Sequence, residues 1–299
     1  MRNFINYIFG IIFLICNLVI AANLKSEELN LEYIIDLPNS VDDVLIADTE
    51  NAKLLHYSVK NKKLSKVKEY YLSIGLNGSD KQLQGDKKTP LGIYFITKEL
   101  DISKLPSRYG AAAYPLDYPN SLDRYKGKTG YGIWLHGTDP DIQKRPPRAT
   151  DGCLALQNNE SLELSKYLVP MNTPIIVVET ISWKTKDQIN AIRNEINTVI
   201  NSWKKSFNKL EKDKFIALYD KDFGYDLIGE IEFFNEFSSA NQRMTIENLY
   251  VMTDPVDSGI VISRFTQKLR KGNKIINQTK RLYWKKQPAG WRIISTAQI

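Results

Sequence analysis

Histidine and cysteine are nearly missing from this chain, which has two of each in 299 residues. That scarcity removes whole classes of function. A zinc site draws on three or four ligands, and a small secreted scaffold held by disulfides needs several cysteine pairs. Neither can be assembled here, and no metal or organic cofactor is expected. Internal repeats and low-complexity tracts are absent as well. With 42% hydrophobic and 25% charged residues, the composition is that of an ordinary globular protein long enough for two modest domains.

Long apolar runs are absent but for one. Arg2 is the only charge before Lys25, and "YIFGIIFLICNLVIAA" runs apolar from Tyr7 to Ala22. A charged start, a short apolar stretch and small residues at Ala21 and Ala22 predict a secretory signal peptide over residues 1–22. The run is shorter than the roughly 20 residues that span a bilayer, so membrane attachment follows only if the segment stays uncleaved. Cys16 follows Ile15 where a lipoprotein would carry a small residue, which argues against lipidation. The remaining chain is then periplasmic, with Cys153 as its single cysteine. A lone thiol in an oxidising compartment is either an inert buried side chain or one that is used.

Periodicity divides the rest. After a polar leader that reads as helical (Ser26 to Ile35), "DDVLIADTENAKLLHYSV" alternates and reads as a hairpin. "KEYYLSIGLNGSD", "TPLGIYFI", "GYGIWLHG" and "TPIIVVET" read as strands, and "NESLELSKYL" as a helix with Asn158 or Asn159 as cap. A mostly β, sandwich-like domain is expected over residues 23–182. From 183 to 299 a second unit opens on a long amphipathic helix, marked by Ile189, Ile192, Ile196, Ile200, Trp203, Phe207 and Leu210, and closes on alternating strands with turns near Gly272 and Pro288. The fold class is α+β.

Charge of one sign is missing from the C-terminus. From Ile262 to the end there are ten Lys or Arg and no Asp or Glu, which concentrates the net charge of +7. Such a sheet is either a solvated face or a surface for an acidic ligand, and Arg264, Arg281, Tyr283 and Lys285 are its candidate contacts. Nucleic acid would suit the charge, but secretion argues against it.

His136 and Cys153 stand 17 positions apart, each beside a glycine, in "GYGIWLHGTDPDIQKRPPRATDGCLALQN". A thiolate attacks carbonyls, a free thiol with a pKa of about 8.5 does not, and an imidazole can take the proton and hold the ion pair. The intervening loop is rich in Pro and Asp and can fold back to bring the two together. Gly152 lets backbone approach a substrate, so the amides of Gly152 and Cys153 can form an oxyanion hole. The carbonyl of Gly137 can accept the other ring N–H and fix the tautomer. His56, in "KLLHYSV", reads as a strand residue rather than a partner.

"GDKKTPLGIYFI", "YGIWLHGTDP" and "RATDGCLAL" resemble, in order and spacing, the catalytic domain of the L,D-transpeptidases, cysteine enzymes that remodel peptidoglycan. The resemblance covers about Val44 to Glu179. It implies Cys153 as nucleophile, His136 as general base and Gly137 as the group that orients the imidazole. Two positions depart from the family pattern: Asp151 stands where many members have His, and Ala155 where Arg or Asn is common. The Thr-Asp-Gly-Cys variant with a C-terminal extension looks most like the cell-shape L,D-carboxypeptidases of helical bacteria, whose second domain is a cone-shaped unit similar to nuclear transport factor 2 (NTF2).

The resemblance further implies muropeptides as partners. Cys153 would attack the third residue of a tetrapeptide stem and release D-alanine. Water would complete an L,D-carboxypeptidase cycle, and an amine from another stem a transpeptidase cycle. Arg148 is a candidate to hold a stem carboxylate, and Trp134 and Tyr131 to wall the groove. The competing possibility is a non-catalytic wall-binding scaffold. The oligomeric state is not legible in the sequence.

Overall fold

Alternation along single strands decides this architecture, because two sheets each bury both faces. The computed structural model describes residues 29–299 apart from 143, 224, 238–241 and 272–273. The expected signal peptide and the Gly272 turn lie outside the described residues.

The first unit contains β3 (Asp43–Asp48), β4 (Lys53–Lys60), β5 (Lys63–Tyr71), β6 (Ile74–Gly75), β7 (Gly92–Phe95), β8 (Ala113–Pro115), β9 (Trp134–His136), β10 (Arg148–Thr150), β11 (Leu154–Ala155) and β12 (Pro174–Val178). Two helices, α1 (Ser121–Tyr125) and α2 (Asn158–Ser165), interrupt them. A five-stranded sheet in the order β5-β4-β3-β12-β7 forms its centre, with β12 parallel to β3 and antiparallel to β7. A three-stranded sheet, β11-β9-β8, lies over one face.

The second unit contains α3 (Lys186–Asn208), α4 (Lys212–Ile216), α5 (Tyr225–Phe237), β14 (Gln242–Thr253), β15 (Ile260–Lys271), β16 (Lys274–Gln287) and β17 (Gly290–Gln298). Thr185 caps α3 in a reciprocal capping box with Gln188, satisfying amides at the helix start. Its apolar stripe Ile189, Ile196, Ile200, Trp203 and Phe207 packs on one face of the second sheet, against Val251, Val261, Phe265 and Leu282.

Successive residues on a strand point to opposite faces. Leu45, Ala47, Ile175 and Val177 therefore join the core beneath the small sheet. Val44, Ile46, Ile176 and Val178 face the other way, into a core shared with Tyr250, Met252, Ile260, Ile262 and Tyr283 of the second unit. Strands buried on both faces read as continuous apolar runs, which is why β12 is "PIIVV". The result is a stack of small sheet, central sheet, C-terminal sheet and helix.

From Leu29 onward the leader is not helical. It forms β1 (Leu29–Leu31), paired with β13 (Trp183–Thr185), and β2 (Ile34–Asp36), which joins the C-terminal sheet beside β14. Leu31, Tyr33 and Ile35 are all buried, a period of two that overrides the helical composition. A boundary at 182/183 is thus crossed by the chain's own first strands.

The expected basic surface is corrected as well. Arg281 is 2% exposed, and its Nη2 donates to Asp117 Oδ2 of the first unit at 2.7 Å. Its Nη1 donates to the buried Tyr283 hydroxyl at 3.1 Å. Arg264 donates to the Met171 carbonyl at 2.6 Å, and both guanidinium groups lie over the Phe95 ring, at 4.4 and 5.0 Å. Lys280 pairs with Glu230, Lys268 with Glu247 and Lys286 with Glu195. These five cations thereby have partners within the chain: Arg281 and Lys280 are buried and paired, as buried charges must be, Arg264 is buried on a carbonyl, and Lys268 and Lys286 are in exposed ion pairs. Lys285 stays half-buried, opposite Ile260 and Arg292 in the ladder.

Replacing Asp117 by Ala should leave Arg281 buried without a counter-charge and cost about 3–5 kcal/mol in urea unfolding, while Asp117→Ala combined with Arg281→Met should recover most of it. A single-variant loss below about 1 kcal/mol would show that the pair does not join the units.

Candidate active site

Register assembles the site. The β9–β11 pair is parallel, with Leu154 opposite Leu135 and Ala155 opposite His136. Leu135 and Leu154 point into the core, so His136, Trp134 and, one residue before the ladder, Cys153 share the other face. The long loop between β9 and β10 thus closes as its turn residues suggest, and His136 and Cys153 lie diagonally across one small sheet.

Each glycine has a physical reason. Gly152 has φ +124, and a Cβ there would lie 2.7 Å from the Lys88 carbonyl. Thr150 shapes the turn: its hydroxyl accepts from the Gly152 amide at 3.1 Å and donates to the Cys153 carbonyl at 2.8 Å. Thr89 couples the turn to the first motif, donating its hydroxyl to the Gly152 carbonyl at 3.0 Å and accepting from the Gly75 amide at 2.9 Å. Asp86 anchors the same motif. Burial alone would raise its carboxyl, but Lys81 and the amides of Gln82, Leu83 and Lys88 outweigh that and hold it at about 2. The Gly152 amide is therefore occupied, and of the two expected oxyanion donors it is the Cys153 amide that lacks this bond to Thr150.

Gly137 accepts from His136. The ring Nδ1 is 2.5 Å from the Gly137 carbonyl, and since a carbonyl only accepts, Nδ1 carries the hydrogen and Nε2 the lone pair. Asn158 holds this corner. Its Oδ1 accepts the amides of Ala111 and Thr138, both at 3.0 Å, and a Cβ on either Gly110 or Gly137 would run into it. The expected cap role passes to Gln157, which makes no side-chain capping bond, while Asn158, the first residue of α2, spends its side chain on the loops.

The resting pair is neutral. Burial pushes the His136 imidazole down to about 4, the Gly137 carbonyl opposing and Arg145 and Arg108 adding to the effect. Burial likewise pushes the Cys153 thiol up to about 11, against the Trp134 amide. The thiol donates to the Gly132 carbonyl at 3.5 Å. The stable ion pair expected from the residue types is thus not the resting state, because desolvation penalises both charges.

The other expected contacts divide. Trp134 lies tilted against Tyr109 at 4.5 Å, and Tyr109 meets the His136 ring edge-on at 5.3 Å. Tyr131 is 76% exposed, beside the Gly132 carbonyl that receives the thiol. Arg148 is turned away, pairing with Glu50 at 3.2 Å. The cations whose fields reach both Cys153 and His136 are Arg108 and Arg145. Arg264, Arg281, Tyr283 and Lys285 have no part here. His56 is buried in β4 and bonded to Asp43 at 2.6 Å.

Residues 42–177 match the YkuD family, the L,D-transpeptidase catalytic domain. Over those residues the chain carries a catalytic domain of the L,D-transpeptidase type. Among solved structures, Bd1075 of Bdellovibrio bacteriovorus superposes with a TM-score of 0.74 at 24% identity, covering 91% of this chain and 98% of its own. The helical cell shape determining protein Pgp2 of Campylobacter jejuni superposes at 0.72 and 22% identity, covering 92% and 97%. At such identities the likeness is one of fold, and it extends through both units. No curated protein sequence matches.

Alkylation of Cys153 by iodoacetamide should accelerate steadily through pH 8 to 9.5, since a raised thiol pKa leaves little thiolate below that range. A plateau between pH 5 and 7 would mean a preformed ion pair. Asn158→Ala should cost about 1–3 kcal/mol in thermal unfolding, because two buried amides lose their acceptor. An unchanged melting temperature would remove Asn158 from the corner.

Proposed function

We propose that this protein is a periplasmic L,D-carboxypeptidase that trims tetrapeptide stems of peptidoglycan to tripeptides and so influences cell shape. One observation carries the reading: His136, with Nδ1 tied to Gly137, offers a free Nε2 lone pair on the sheet face that holds the only thiol of the described residues. Nε2 takes the thiol proton as Cys153 Sγ bonds to the carbonyl carbon of the third stem residue. The Cys153 amide stabilises the oxyanion. The C–N bond then breaks, the imidazolium returns its proton to the leaving amine, and D-alanine departs from a thioester. Water, deprotonated by the same nitrogen, releases the tripeptide and restores the thiol.

The Thr150-Asp151-Gly152-Cys153 variant, through its resemblance to the cell-shape L,D-carboxypeptidases, supports water over an amine as acceptor, and a fold shared with a helical cell shape determining protein supports the role in cell shape. Residues 183–299, a long helix on a curved antiparallel sheet, serve in this reading as an NTF2-like accessory domain.

Purified protein incubated with disaccharide-tetrapeptide should yield tripeptide and free D-alanine by mass, and the Cys153→Ala protein should yield neither. Dimers joined 3-3 would replace the reading with a transpeptidase. Binding of the muropeptide with no turnover would replace it with a wall-binding scaffold.

A further inference from the structure

Two guanidinium groups border the site without counter-charges. Arg145 lies on the loop between β9 and β10, where Nε donates to Thr138 Oγ1 at 2.7 Å and Nη1 to the Ala149 carbonyl at 3.3 Å. Both bonds are to the loop itself, so the plane of the guanidinium is set while Nη2 has no hydrogen-bond partner among the described residues. The nearby Asp139 is engaged elsewhere, accepting from the Ser107 hydroxyl at 3.0 Å and the Asp141 amide at 3.2 Å. Arg108 lies on the segment before β8, held over the Tyr109 ring at 5.0 Å with Nη2 donating to its hydroxyl at 3.2 Å. Tyr109 in turn contacts His136. Other arginines of the first unit and its border have acceptors of their own, Arg148 on Glu50 and Arg281 on Asp117.

Holding two cations beside a neutral thiol and a neutral imidazole is unfavourable for forming His136 in its charged state, and both lower that imidazole's basicity. A carboxylate between them would cancel that field. A fixed planar fork suits a carboxylate better than a flexible ammonium does.

We infer that Arg145, together with Arg108, binds the terminal carboxylate of the peptide whose C-terminal bond Cys153 attacks. This deepens the proposed function and rests on it. The leaving residue places its carboxylate one residue, roughly 3.5 Å of backbone, beyond the scissile nitrogen. The clamp therefore sets the cut one residue from the C-terminus and directs the rest of the stem toward the exposed Tyr131. Occupied, it also offsets the two arginines' share of the penalty on the imidazolium, burial remaining the larger cause.

Binding separates this from turnover. In the Cys153→Ala protein, calorimetry with the tetrapeptide muropeptide as free acid and as C-terminal carboxamide should show the acid binding about tenfold tighter. Adding Arg145→Gln should reduce that preference to within about twofold while leaving carboxamide affinity unchanged, and Arg145→Lys should retain part of it. Equal weakening of both ligands, as a loop staple would give, overturns the clamp. So does an unchanged preference, or failure of the Cys153→Ala protein to bind either ligand. A preserved preference with no D-alanine released by the unmutated protein would leave the clamp standing and remove the carboxypeptidase reading instead.

Discussion

Everything in this molecule hangs on the parallel pairing of β3 with β12, whose residues are dry on both faces. One face supports the small sheet that carries His136 and leads into Cys153; the other supports the C-terminal sheet. A polar substitution there would expose two cores at once. The site is consequently carried on very short strands, β9 and β11, that are rigid only because Leu135 and Leu154 are anchored below them.

Burial also sets the chemistry. The desolvation that locks these side chains in place keeps both the Cys153 thiol and the His136 imidazole neutral. A neutral, half-buried thiol is also slower to oxidise than a thiolate. Positioning is delegated to groups that do not react: Thr89 and Thr150 shape the turn into Cys153, and Asn158 fixes the carbonyl that orients His136.

How legible this was differs by residue. His136, Gly137 and Cys153 were readable because rare residue types stand beside glycines in ordered motifs, and β3, β4, β12 and α3 because their apolar periods are strong. Asn158 was read as a helix cap, the local role asparagine favours, and only tertiary structure reveals its two loop amides. Arg145 and Arg148 are indistinguishable by spacing; which one faces the site depends on how a twelve-residue-scale loop folds back, something periodicity does not encode. The basic C-terminal residues resembled a surface because their acids, Asp117, Glu195 and Glu230, lie far away in the chain. The leader's alternation was too short to outweigh its helix-forming composition.

That leader has a kinetic consequence. In β2, Asp36 pairs with Val251 and Ile34 with Met252, partners more than two hundred residues away. Both strands must be available before they can pair, and contacts of such high sequence separation slow folding. Until β14 emerges, the C-terminal face of the central sheet has no cover and the first unit cannot complete its shared core. The candidate site thus rests on a foundation that is complete only when strands more than two hundred residues apart have met.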